Sequence, residues 1–290
     1  MSVPFDSQCL QCFLDRNMKL ARSLGSEEQA AEFSAALSAL FDSAPEGVGS
    51  PWFGPAVSEL LHRMYGLPLD RFREEKQESN RFVLERLPQI REKVASAPDP
   101  VFAGLQFAIL GNYIDFSALA GEVSFEKLDE MLEQALEMDL DRDVYAALCR
   151  ELESGKKLLY LTDNAGEIGF DRVLAEELHK KYPQLQITFC VRGGPANNDA
   201  TREDAAAVGI PFRVIDNGNR VPGTQLDQLS PEARRAMAEA DVILSKGQGN
   251  AETLLGCGYN IYYAFLVKCI RFIDRFQKPK LTPMLVRERN

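Results

Sequence analysis

Leu158-Leu159-Tyr160-Leu161-Thr162-Asp163-Asn164-Ala165-Gly166-Glu167 is a short apolar run that breaks into an acid, an amide and a glycine before a helical pattern begins. A run of this length bounded by turn residues reads as a buried strand. The apolar residues that follow at helical spacing, Phe170, Val173, Leu174 and Leu178, read as a helix over 168–181. Two later stretches repeat the arrangement: Ile187–Val191 runs into Arg192-Gly193-Gly194-Pro195-Ala196-Asn197-Asn198-Asp199, and Val242–Ser245 runs into Lys246-Gly247-Gln248-Gly249-Asn250. Working outward, strands are expected over 157–162, 186–191, 212–215, 242–245 and 261–267. Further helices are expected over 201–208, 231–238 and 252–255, the second capped by Ser230 with Pro231 in its first position. Alternating strands and helices imply a parallel sheet covered on both faces. The expected fold is therefore α/β: a Rossmann-like α/β/α domain with a mostly parallel sheet over 155–290. In such sheets ligands bind just outside the carboxyl ends of the strands, which is where Asp163 and Asn164 stand.

Before Ser154-Gly155 the pattern is helical. Leu128, Met131, Leu132, Ala135 and Leu136 recur at helical spacing behind Ser124, a candidate N-cap, with Glu126 and Glu130 near the positive end. Phe33, Leu37, Leu40 and Phe41 mark another helix, and the charged stretch 71–94 reads as one or two helices with exposed faces. No strand is expected before Lys156, and 45–55, with its prolines and glycines, reads as a loop. Residues 1–154 are thus expected to form an α-helical N-terminal domain, with the metal site on the domain that follows.

Composition narrows the function. The chain has 290 residues, 45% of them hydrophobic, and a formal net charge of −10. An acidic surface repels nucleic acid and anionic membrane, so neither is an expected partner. No apolar run approaches the ~18 residues of a membrane helix, and residues 1–15 lack the pattern of a signal peptide. A cytoplasmic location is expected, with the six cysteines as free thiols.

Three strand ends offer oxygen ligands and a lysine. Asp163, Asn164 and Asp199 supply two carboxylates and an amide carbonyl, a donor set that suits a hard divalent ion. Each is equally compatible with helix capping, so the case rests on the strand ends agreeing. Lys246, beside a glycine-rich turn, is suited to hold a phosphoryl oxygen, as are the backbone N–H groups of Arg192-Gly193-Gly194. An ordinary surface lysine is the plain alternative. The turn is not a Walker A loop, and Gly166 and Gly169 do not make a dinucleotide fingerprint. In Gly111-Asn112-Tyr113-Ile114-Asp115, Asn112 and Asp115 are compatible with facing the site or with a helix end and turn. Cys9-Leu10-Gln11-Cys12 lacks partners for zinc, since the only histidines are His62 and His179. At helical spacing its cysteines fit one buried face, with redox or metal binding as the alternative. Two histidines give little support for a Ser/His/Asp hydrolase, and Trp52 reads as packing.

At Asp163-Asn164-Ala165-Gly166-Glu167 the sequence resembles the metal-dependent damage-control phosphatases, known as domain of unknown function eighty-nine. The stretches 192–201, 246–250, 111–115 and the N-terminal CxxC carry the resemblance further, in the family's order and over nearly the whole chain. The CxxC and the length resemble the stand-alone microbial branch. The resemblance implies a helical domain on a Rossmann-like domain with a divalent metal, Mg²⁺, Mn²⁺, Co²⁺ or Ni²⁺, at the junction. It implies hydrolysis of phosphate esters of small metabolites, notably sugar phosphates. Asp163, Asn164 and Asp199 match the metal ligands, with Asp163, Asn164 and Lys246 as the catalytic set and Lys246 on the phosphate. Asn112, Asp115, Glu167, Arg192, Gly193, Asn198 and Asn250 match motif residues expected around the substrate. Two alternatives are carried: carboxyl methyl transfer from S-adenosylmethionine, an activity disputed for this family, and non-catalytic binding of a phosphometabolite.

Overall fold

In Leu158, Leu159, Tyr160 and Leu161 side chains alternate between two cores. Leu158 and Tyr160 join one hydrophobic cluster, Leu159 and Leu161 another, so this strand is buried on both faces. The computed structural model describes residues 6–119 and 122–288. In it the chain runs α1 (Ser7–Leu24), α2 (Glu27–Asp42), α3 (Gly54–Tyr65), α4 (Arg73–Ala95), α5 (Pro100–Gly111), α6 (Phe125–Glu133), α7 (Arg142–Ser154), β1 (Lys157–Leu161), α8 (Glu167–Lys181), β2 (Gln186–Val191), α9 (Arg202–Ala207), β3 (Arg213–Asp216), α10 (Pro231–Glu239), β4 (Val242–Lys246), α11 (Gln248–Leu254), β5 (Ile261–Leu266), α12 (Ile270–Phe276) and β6 (Pro283–Arg287).

The strands form one sheet in the order β3-β2-β1-β4-β5-β6. All neighbours are parallel except β5 and β6, which are antiparallel. The order reverses between β1 and β4, so the crevice beyond their carboxyl ends is the position where such sheets bind ligands.

One face of the sheet carries α4 to α8, whose apolar residues share a core with β1 and β2. The helix α5 is apolar all round and buried along nearly its whole length, as a helix inside a core must be. It packs closely on α8: a Cβ on Gly111 would stand 2.4 Å from the Phe170 ring. That approach delivers the next residue, Asn112, to the end of β1. The other face is covered by α10, α11 and α12. The helices α1 to α3 have a cluster of their own, around Phe13, Phe33, Leu37, Phe53 and Leu61.

Several expectations are corrected. The stretch 45–55 is not simply a loop: Ser50–Phe53 is a 3-10 turn and α3 begins at Gly54, with Phe53 buried and Trp52 edge-on to it at 5.2 Å. The helix expected over 252–255 starts at Gln248. The charged stretch 71–94 is one helix, α4, and it buries Lys76 and Asn80 against Asp204. The elements α12 and β6 carry no expectation from the sequence. Among the described residues no helix is long and apolar enough to cross a membrane.

Candidate active site

The loops after β1 and β2 are stapled together. Ala200 N donates to Asp163 O at 2.7 Å and Ala165 N to Asn198 O at 2.9 Å, with an antiparallel bridge between Asn164 and Asp199. This brings Asp163, Asn164 and Asp199 to one spot, all three buried yet lining a cavity of about 130 Å³. Asp163 Oδ2 accepts from Asn112 Nδ2 at 2.8 Å and from Asn164 Nδ2 at 2.9 Å. Asn164 Oδ1 accepts from Asn198 Nδ2 at 2.9 Å, and Asp199 Oδ2 from Arg192 Nε at 2.6 Å.

The negative charge of this cluster is not balanced. Burial, then the nearby Glu167 and Asp199 carboxylates, push the Asp163 carboxyl well above the ordinary range. Burial raises Asp199 to about 6 even against the Arg192 guanidinium. Arg192 Nη2 stops 3.8 Å short of Asp163 Oδ1 and has no hydrogen-bond partner among the described residues. Two buried carboxylates and an amide with this surplus of negative charge fit a divalent cation, which would supply the missing charge. Among the described residues no group of three His, Cys, Asp or Glu side chains is arranged to hold a metal, so the third donor here is an amide oxygen.

Beneath the cluster lies a closed network. Lys246 is fully buried, and its Nζ donates to Ala108 O at 2.7 Å, Glu167 Oε1 at 2.6 Å and Asp171 Oδ1 at 2.7 Å. It does not line the cavity, which corrects its expected place against a phosphate: two carboxylates from α8 and one carbonyl fill its donors. Glu167 accepts from Asn112, Asn164 and Lys246. Asn250 donates to Thr162 O and Lys246 O and accepts from Thr224 Oγ1. Asn198 also donates to Ile114 O, and Gly193 N donates to Asn219 O and Asn217 Oδ1, each at 2.9 Å. None of Asn112, Glu167, Arg192, Gly193, Asn198 and Asn250 lines the cavity: Asn112, Glu167, Arg192 and Asn198 hold its lining residues Asp163, Asn164 and Asp199, while Gly193 and Asn250 fix the loops behind them.

Asp115 does line the cavity. Burial raises its carboxyl, but the Lys268 ammonium, 2.7 Å away, and the Ala118 and Ser117 N–H groups outweigh burial and hold it below the ordinary value. Lys268 itself is buried and lines an adjoining cavity of about 380 Å³. The two cavities share Phe13, Arg16, Ser50, Ala118, Gln248 and Glu252.

Residues 5–280 match the damage-control phosphatase ARMT1-like domain. The chain belongs to that family. It is 33% identical over 282 residues to an uncharacterized protein of Methanocaldococcus jannaschii, MJ0202, covering 92% of this chain and 90% of that one. It is 35% identical over 188 residues to a damage-control phosphatase of Archaeoglobus fulgidus, covering 64% of each. The crystal structure of a DUF89 family protein from Pyrococcus horikoshii, PH1575, superposes with a TM-score of 0.83 at 27% identity, covering 99% of both chains.

For this family member, sequence reasoning missed Lys268, Arg16, Arg71, Gln248 and Glu252. Lys268 stands just past the end of β5 and was findable by the strand-end rule that exposed Asp163. Arg16 and Arg71 come from the helical region, and nothing in their spacing marks them. The CxxC lies on α1, where Cys9 is half-buried and Cys12 exposed, so the two do not share a buried face.

Proposed function

We propose that this chain is a metal-dependent phosphatase that hydrolyses phosphate monoesters of small metabolites, such as sugar phosphates, in a house-cleaning role. The observation that carries the reading is the uncompensated Asp163–Asn164–Asp199 oxygen cluster at the floor of a small-molecule cavity. Those three residues would hold Mg²⁺, Mn²⁺, Co²⁺ or Ni²⁺, which supplies Lewis acidity at the phosphoryl oxygen when bound.

The chain's own groups do the rest. Asn112 and Asn164 fix the Asp163 carboxylate by donating to Oδ2. Arg192 orients Asp199. Lys268, held in place by Asp115 on the wall of the adjoining cavity, is the cation assigned to a phosphoryl oxygen in the role that the sequence suggests for Lys246, and a preorganised donor of this kind stabilises charge that develops in the transition state. The walls keep the ester in a buried site where such charges act strongly. Methyl transfer has no comparable support: the Gly166 N–H after β1 is taken by Asn80 Oδ1 at 2.7 Å, so the turn is engaged with α4 and offers no open loop to a nucleoside.

Metal-stripped protein given p-nitrophenyl phosphate and a panel of sugar phosphates, with each metal added singly, tests the reading. Phosphate release should require metal and vanish in Asp163→Ala. Full metal-dependent activity in that variant would sink it.

A further inference from the structure

The walls of the cavity differ in charge. The strand ends contribute Asp163, Asn164 and Asp199, whereas α1 and the segment before α4 contribute Arg16 and Arg71. Arg71 Nη1 is buried and has no hydrogen-bond partner among the described residues, and no ion pair joins either arginine to a carboxylate there. Arg16 donates to Ser117 O at 2.9 Å and acts on Glu252 without forming an ion pair with it. Arg71 lies 4.9 Å from the Phe72 ring, a contact with its chain neighbour that leaves Nη1 unused.

Two like charges gathered at one half-buried wall oppose folding. Burial first, and then the Arg16 charge, work against the Arg71 cation. Of the nearby carboxylates, Glu75 favours the Arg71 cation without forming an ion pair with it, and Glu252, beside Arg16, is pushed up to about 7 by burial and hydrogen-bonds to Gln248. A half-buried guanidinium whose buried Nη1 is an open donor can take a planar or tetrahedral anion. The proposed function assigns the phosphate being hydrolysed to the metal held by the oxygen cluster and to Lys268, which leaves the arginines open to a second anion.

We propose that the substrate is a phosphate monoester carrying a second anionic group, a carboxylate or another phosphate, held by Arg71 and Arg16. The inference rests on the phosphatase reading and narrows its substrate class. Nothing in it requires a covalent step beyond that hydrolysis.

Matched esters test it. 3-Phosphoglycerate and glycerol 3-phosphate differ by a carboxylate in place of a hydroxymethyl group, and fructose 1,6-bisphosphate and fructose 1-phosphate by one phosphate. The protein should favour the member of each pair that carries the second anionic group by about tenfold to a hundredfold in kcat/KM, the range of one charged hydrogen bond, mostly through KM. Arg71→Gln should collapse that ratio and Arg71→Lys should keep part of it. Arg16→Gln serves the same purpose should Arg71→Gln fail to fold. Equal kcat/KM for both members in the unmodified protein, or an unchanged ratio in the glutamine variants, overturns the inference and leaves the phosphatase reading intact. If no ester is hydrolysed, the phosphatase reading is the one that fails. Calorimetric titration with 3-phosphonopropionate against propylphosphonate then still decides the second-anion site, tighter binding of the carboxylate supporting it and equal binding refuting it.

Discussion

Replacing Gly247 by alanine tests whether the Asp163 carboxylate must stand where it does. Gly247 follows β4 with φ 79° and ψ 158°, a region that is essentially glycine's alone and costs another residue about 1–3 kcal/mol. Strain is the smaller effect. An alanine Cβ would stand 1.9 Å from Asp163 Oδ2 and 2.1 Å from its Cγ. Asp163 would have to retreat by about 1 Å, and a displacement of that size at a reacting group costs about a hundredfold in rate. It cannot retreat freely, because Asn112 and Asn164 both donate to the same oxygen. Gly247→Ala should therefore lower metal-dependent phosphate release by about a hundredfold or more and weaken metal binding in calorimetry. It should also destabilise the fold by about 1–3 kcal/mol in denaturant titration. Gly66→Ala separates the two effects. Gly66 has φ 69° at the end of α3, and a Cβ added there would meet nothing within 4 Å, so it should lose about 1 kcal/mol of stability and none of the activity. Wild-type turnover by a folded Gly247→Ala protein would refute the placement of Asp163 at the reacting centre.

The two buried lysines should separate in the same assays. Lys246→Met leaves Glu167 and Asp171 buried without their cation and should cost about 3–5 kcal/mol of stability, with Lys246→Met/Asp171→Asn recovering part of it; an unchanged midpoint in denaturant would contradict this. Lys268→Ala should lower kcat/KM by about a hundredfold with a smaller loss of stability, because Asp115 keeps the Ser117 and Ala118 N–H groups; undiminished activity would return the phosphate to another residue. The metal-free protein should respond to pH through Asp199, whose folded value of about 6 lies above its ordinary 3.8. The native state then binds the extra proton, so this group's stabilisation is present at acid pH and is lost as pH rises from about 4 through 6. Metal affinity should run the other way, since the ion must displace that proton. Melting curves at pH 5 and 8 should show the first trend and lose that component in Asp199→Asn; calorimetry with Mn²⁺ should show the second.

The strands were legible because a parallel strand buried on both faces is a continuous apolar run, and β1, β2, β4 and β5 are such runs. The elements that escaped notice lack that signature. β6 is antiparallel and at the edge, and only Leu285 of it is buried. α11 opens on Gly247-Gln248-Gly249-Asn250, which propensity reads as a loop; Asn250 fixes it as helix by donating to Thr162 O and Lys246 O. Site residues followed the same division. Asp163, Asn164, Asp199 and Asp115 carry their meaning in their own strand end or turn. The role of Lys246 depends on Glu167 and Asp171, which reach it from a helix more than seventy residues earlier in the chain, and sequence spacing cannot report whether a lysine meets a ligand or two acids.

Charge balance links these placements to the chemistry. The buried acids around the site are paired in turn: Glu167 and Asp171 have Lys246, Asp115 has Lys268 and Asp199 has Arg192. Asp163 lacks a cation at hydrogen-bond distance, and Arg71 lacks an anion. Under the proposed function a divalent ion on the strand ends would resolve the first deficit, and the substrate's phosphate would bind that ion. The second deficit is untouched by either. A second negative group on the substrate would cancel it, so an ester with a single anionic end leaves the buried Nη1 of Arg71 unsatisfied, at a cost of about 1–3 kcal/mol. The expected discrimination between the two kinds of ester thus follows from the same charge accounting that favours a metal at the strand ends, and it would be strongest where ionic strength is low and the cavity is least screened.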